Sequence, residues 1–174
     1  MIAAGYKNYI AFTDPLAFAL CKKFSSDGKG VTYADAAAVT NSQFAGTFAS
    51  NIASKYHHIT SFDEFQYFTR LTGNINATEL ASQYDLRSLV IPKNITSLPA
   101  QFCRFPNTSQ AAQCTTDFTV KILRTSGVIS AGTYTFHNRN KTNHNFTILV
   151  PSSLVESYKA ANIWKNFADN IFGY

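Results

Sequence analysis

The sequence predicts an α+β fold, a short β-solenoid closed by helices at both ends, and three observations predict it. Four short apolar segments recur with centres at Ser61, Leu89, Val120 and Ile148, at spacings of 28, 31 and 28 residues. The second and fourth end on the same step, Ile91-Pro92 and Val150-Pro151, where proline removes a ladder donor and stops a strand. Both flanks of this repeated region carry helix signals. One strand, a turn and a second apolar anchor per unit is what a solenoid coil needs, because no coil can bury its inner face alone.

The elements follow in order. Thr13-Asp14-Pro15 supplies a helix start with proline inside the first turn, and Leu16 to Phe24 continue the helix. Ser25 to Gly30 form a turn, and Val31-Thr32 lead into a second, alanine-rich helix over Tyr33 to Val39. The repeated segments are Ile59 to Phe62, Leu86 to Pro92, Phe118 to Leu123 and Phe146 to Pro151. The second anchors are Ile95 to Pro99 with Phe102, and Val128 to Gly132 with Phe136. Val90, Ile91, Ile122 and Ile148 are expected to enter one core as parallel neighbours, and Phe62, Phe65, Tyr67 and Phe68 to pack there as well. Ser152 and Ser153 then cap a helical segment with an apolar face at Leu154, Val155, Tyr158 and Ala161. A further helical turn over residues 163–171 completes a closing cap across the last strand. The division expected is a helical leader over residues 1–50 and a repeat domain over 51–174, with its cap from about residue 152.

Composition narrows the function classes. The chain has 174 residues, 45% of them hydrophobic, enough for one domain with a sizeable core. Only 14% are charged, against an ordinary ~25%, so Asn, Ser, Thr and Gln must build much of the surface. The net charge of +5 comes from scattered Lys and Arg with no basic run to track phosphates, so nucleic acid is not an expected partner. Lys7, Asp14 and Pro15 interrupt the first twenty residues, so no ordinary signal peptide is expected. No apolar stretch approaches the ~20 residues of a membrane span, and membrane insertion is not expected.

Chemistry-bearing motifs are sparse. Cys21, Cys103 and Cys114 lack CxxC spacing and read as reduced, buried thiols, although Cys103 and Cys114 are spaced to close a short loop. His57, His58, His137 and His144 show no zinc-ligand spacing, and Asp63-Glu64 reads as a helix or turn surface. GxSxG, HExxH and GxxxxGK motifs are absent. No catalytic, metal or cofactor residues are therefore assigned, and the chain is not expected to be an enzyme. The sequons at Asn76, Asn94, Asn107 and Asn145 fit the chance yield of an Asn- and Thr-rich chain.

Three blocks carry a family resemblance. They are Ile10 to Cys21 with Asp27-Gly28 and Val31 to Thr40; Ile59 to Thr72 with Leu89 to Leu98; and Val150-Pro151 with Tyr158 to Ala161 and Trp164 to Ile171. In this order they resemble the BspA-like leucine-rich-repeat proteins of gut Bacteroidales and of the crAss-like phages that infect them, while residues 100–145 depart from the repeat consensus. The resemblance implies a leucine-rich-repeat-like solenoid, an EF-hand-like leader and a binding role. The leader is degenerate as a calcium loop. Setting Gly30 at the turn position puts Lys29 at a ligand position, and Asp35 falls one residue short of the terminal acid.

A surface role without an export signal implies a virion protein, assembled inside the cell and later facing outward. The expectation is a non-enzymatic appendage or decoration protein, such as a head-fibre, tail or capsid-surface component. Its partners would be other virion proteins, copies of itself or a host-surface ligand. The alternative is a bacterial BspA-like cell-surface adhesion protein. Tyr6, Tyr9, Ile10 and Phe12 precede the first helix with no evident core position, and aromatic side chains are common interface anchors. These four are assigned to partner binding.

Overall fold

The computed structural model describes residues 7–48, 58–75, 83–100, 102–104, 112, 114, 116–137, 139 and 144–174. The leader contains α1 (Pro15–Cys21), extended by a 3₁₀ turn over Lys22–Phe24, then α2 (Tyr33–Ala38) and α3 (Asn41–Phe48). Asp14 caps α1 by accepting from the Leu16 and Ala17 amides. Thr32 and Asp35 form a reciprocal capping box on α2. The expected boundary between residues 50 and 51 lies outside the described residues.

The strands are β1 (Ser61–Phe62), β2 (Gly73–Asn74), β3 (Ser88–Ile91), β4 (Ile95–Leu98), β5 (Phe118–Ile122), β6 (Ser130–Ala131), β7 (Phe146–Val150) and β8 (Ile171–Gly173). They form two sheets, a five-stranded one in the order β1-β3-β5-β7-β8 and a three-stranded one in the order β2-β4-β6. Every pairing in both is parallel.

This arrangement corrects the expected fold class. The α+β leucine-rich-repeat-like β-solenoid with helical caps gives way to two parallel sheets with helices, an α/β-like fold. The reason is physical. A recurrence near 30 residues fixes parallel neighbours joined by long crossovers, but it does not fix the form of those crossovers. Here they differ in kind. The link from β1 to β3 carries a 3₁₀ turn (Asp63–Tyr67) and β2, whereas the link from β7 to β8 is helical, with α4 (Val155–Ala160) between 3₁₀ turns over Ser152–Leu154 and Trp164–Asn170. The C-terminal helices are therefore the crossover of a β–helix–β unit and not a cap, since β8 extends the sheet beyond β7.

Register explains the core. Phe62, Leu89, Val120, Ile148 and Ile171 form one row across all five strands, each almost fully buried. Alternation along each strand turns the neighbouring residues to the other face. Leu89 and Ile91 point inward and Val90 is only half-buried, so Val90 leaves the expected core set. The outer face carries a row of Ser88, Thr119 and Thr147, then Val90, Lys121, Leu149 and Phe172. Ile122 is fully buried, and truncation to alanine is expected to cost roughly 2–5 kcal/mol in a denaturant titration. A loss near zero would mean the site collapses around the gap.

One cluster of buried apolar side chains runs from Ile10 to Ile171. Near the leader it is aromatic: Phe44, Phe48, Phe62, Phe65 and Phe68 are fully buried, with ring centroids 4.4 to 6.2 Å apart among the contacting pairs. Tyr67 is only half-buried. At the other end, Ile129 lies just before the edge strand β6. Its amide donates to the Tyr158 hydroxyl at 3.1 Å, and its carbonyl accepts from Trp164 Nε1 at 2.6 Å. Two side chains from the β7–β8 crossover thus take the place of a neighbouring strand.

Candidate functional site

The segment preceding α1 is pinned to the turn that follows it. Tyr9 makes an antiparallel bridge with Thr32, and the Ile10 amide donates to the Val31 carbonyl at 2.8 Å. The Tyr9 ring lies against Gly30, where a Cβ would sit 2.7 Å from the ring edge. Glycine here permits that close approach.

Asp27 anchors the same segment. Its carboxylate accepts from Lys7 Nζ at 2.7 Å, the Tyr9 hydroxyl at 2.7 Å, the Lys29 amide at 2.9 Å and Ser25 Oγ at 3.1 Å. The Lys7 ammonium, followed by the Tyr9 hydroxyl and the Lys29 amide, holds the Asp27 carboxyl far below its ordinary range. The third-position carboxylate of the EF-hand-like loop is thus bonded to a lysine ammonium, and Asp35 is engaged in the α2 capping box. Among the described residues no group of three or more His, Cys, Asp or Glu side chains is placed to hold a metal ion.

The sign of the Asp27 shift gives a test. A depressed folded-state pKa stabilises the fold above the unfolded aspartate value of about 3.9, and this contribution is lost as pH falls through the lower folded value. In a carbon-detected NMR titration the Asp27 carboxyl is expected to titrate below an ordinary aspartate. A midpoint at or above the ordinary value would show that the Lys7 and Tyr9 bonds do not persist in solution.

Beside this anchor lies an open hollow of about 390 Å³ lined by Ile10, Phe12, Thr13, Pro15 and Phe18. The Phe12 and Phe18 rings meet at 5.6 Å with an angle of 53°. Their backbone is set by buried carboxylates, for Glu64 accepts from the Thr13 amide at 2.7 Å while Asp14 caps α1. Glu64 is 4% exposed, which corrects its assignment to a surface turn. Two tyrosines extend the aromatic surface of the leader. Tyr9 is 39% and Tyr33 40% exposed, and Tyr33 meets Tyr67 edge-on at 4.7 Å.

Of the four residues assigned to partner binding, Tyr6 lies outside the described residues. Tyr9 is exposed with its hydroxyl engaged, and Phe12 is half-buried in the wall of the hollow. Ile10 is 5% exposed and belongs to the core, so it supports the hollow from beneath instead of offering an anchor. Phe18 and Tyr33 escaped the sequence reading. The buried stripe Ala17, Leu20 and Cys21 on α1 leaves Phe18 off the helix's inner face, a helical-periodicity signal that was available.

The remaining reactive groups are dispersed. The three cysteines are free and buried, and burial pushes the Cys103 thiol up to about 12. His58 meets Asp85 at 2.7 Å and His144 lies 3.8 Å from Asp117 on separate parts of the chain. His57, Asn76 and Asn107 lie outside the described residues. Among the described residues no helix is long and apolar enough to cross a membrane. No protein-family model matches the chain, and no curated protein matches it at a significant level.

Proposed function

We propose that this chain is a non-enzymatic structural and binding protein that docks onto another protein of a larger assembly through the aromatic surface of its leader. The observation that carries the reading is the Phe12–Phe18 hollow, lined also by buried Ile10, with the exposed Tyr9 next to Ile10 in the chain. Aromatic side chains around a concavity are what protein interfaces use as anchors. Weak overall charge favours contact by shape over long-range steering. The sequence resemblance supplies the setting: a virion-associated appendage or decoration protein of a gut phage, with another virion protein as the partner.

Mass spectrometry of purified particles carrying Phe12→Ser or Phe18→Ser tests this. Both rings are half-buried, and removing an interface anchor typically costs more than 1 kcal/mol, so particle occupancy is expected to fall about fivefold or more. Absence of the unaltered protein from particles would overturn the virion setting. Unchanged occupancy of both variants, with the fold intact by circular dichroism, would overturn the docking surface.

A further inference from the structure

We infer that the opposite end of the protein carries a weak binding site for a neutral saccharide, independent of the docking surface. An open hollow of about 300 Å³ is lined by His144, Asn145, Phe146, Thr147, Asp169, Asn170 and Phe172. Its floor is rigid. Phe146 is 4% exposed, stacks on Phe118 at 5.6 Å with rings 5° from parallel, and meets Phe167 edge-on at 5.7 Å.

The wall chemistry selects the ligand class. Phe172 is 52% exposed on the edge strand β8, offering a ring face to an apolar C–H surface. Around it stand oxygen acceptors. Asn170 donates through Nδ2 to the Phe146 carbonyl at 2.8 Å, which fixes the amide and leaves its carbonyl oxygen as an acceptor. Thr147 contributes a hydroxyl and Asp169 an exposed carboxylate. No Lys or Arg lines the hollow, and its imidazole, His144, lies 3.8 Å from the Asp117 carboxylate while Asp169 adds a second negative group, so the lining does not favour an anion.

Asp117, beside the hollow, already accepts from the Asn145 amide at 2.9 Å and from its side chain at 3.3 Å, and the described residues hold no three-donor metal cluster. What fits an aromatic face beside an acceptor-rich rim is a ring with C–H faces and several O–H donors, which describes a pyranose. A second observation extends the site. Thr147 stands in register with Thr119, which stands in register with Ser88, so hydroxyls at the strand spacing of about 4.8 Å lead away across the outer face. A ligand longer than one sugar ring has polar partners along that row.

The test uses the full chain with four neutral probes: cellohexaose, maltohexaose, mannohexaose and chitohexaose. In ¹⁵N-resolved NMR titrations, at least one is expected to give saturable shifts at Thr147, Asn170 and Phe172. Phe172→Ala and Asp169→Ala are each expected to weaken that binding about tenfold, the scale of one charge-assisted hydrogen bond or one ring contact. Tyr134→Ala, at an exposed ring elsewhere, and Phe12→Ser, at the docking surface, are expected to leave it unchanged. No saturable shift with any probe would overturn the inference. So would binding that both Phe172→Ala and Asp169→Ala leave intact. Asp169 is exposed, so its variant is read on a folded protein.

Discussion

Replacing Arg139 with alanine is expected to destabilise the fold by roughly 3–5 kcal/mol, the sum of its charge-assisted hydrogen bonds to buried carbonyls and of the packing its side chain supplies. The guanidinium is 1% exposed. Its Nε donates to the Cys103 carbonyl at 2.6 Å, both Nη atoms donate to the Gln83 carbonyl at 3.3 Å, and the group lies 4.7 Å from the Phe118 ring centroid. Gln83, itself fully buried, accepts through its side chain from the Ile59 amide at 3.1 Å. One side chain therefore ties residues 83, 103 and 139 together, with Ile59 joined through Gln83. Truncation removes the Arg139 donors from two buried carbonyls, each hydrogen bond to a charged group contributing about 1.5–3 kcal/mol, and opens a void over Phe118. Lysine is expected to rescue little, because a point charge cannot span both carbonyls as the planar fork does. Urea unfolding checks this, and a loss below about 1 kcal/mol would mean that other donors reach those carbonyls.

The second large effect is expected at Asp14. Its Oδ1 accepts from the Leu16 and Ala17 amides at 2.8 Å, and its Oδ2 accepts from the Thr60 amide at 2.8 Å and hydroxyl at 2.7 Å. Cap loss alone costs about 0.5–2 kcal/mol. The Thr60 amide also loses its partner at a part-buried position, so Asp14→Ala is expected to cost about 3 kcal/mol in all. Asparagine should fall between, because its carbonyl can cap α1 while its NH₂ group faces a donor. Hydrogen exchange at Thr60 separates the two contributions. Unchanged protection there in Asp14→Ala would show that the bond from α1 to the start of β1 does not matter.

These two residues also show what sequence can and cannot reveal. Asp14 was legible as a cap because its partners Leu16 and Ala17 are its neighbours in the chain, and Thr32 with Asp35 is legible for the same reason. Its bond to Thr60 spans 46 residues, and the bond between Glu64 and the Thr13 amide spans 51, so local pattern reads Asp14 only as a helix start and Glu64 only as part of a helix or turn surface. Arg139 sits in a stretch without periodicity. The strands β3, β5 and β7 were legible from the recurrence of apolar segments and from the prolines that end two of them. The form of the crossovers was not, since a coil and a helical link can occupy the same number of residues. Strand β8 was missed because its first residue, Ile171, falls on the apolar spacing of the helical turn read over 163–171, and only two more residues follow in the strand. At the docking surface, the aromatic character of Tyr9 and Phe12 was readable, while the burial of Ile10 depends on Val31 and the turn that carries it.

The Tyr158 and Trp164 contacts to Ile129 have a consequence for molecules meeting in solution. Parallel ladders are open-ended, and any chain offering a free donor and acceptor can prolong one. A second copy stacking onto the β8 side meets three residues of strand in the larger sheet. Beside the smaller sheet the Ile129 amide and carbonyl are already occupied by a phenol and an indole respectively. Two ladders must advance together for such a column to grow as a fibre, and here the smaller one meets two side chains at the residue that leads into β6. The crossover that completes the fold therefore also hinders end-to-end growth, and a Trp164→Phe, Tyr158→Phe double variant is expected to self-associate more than the unaltered chain in sedimentation velocity.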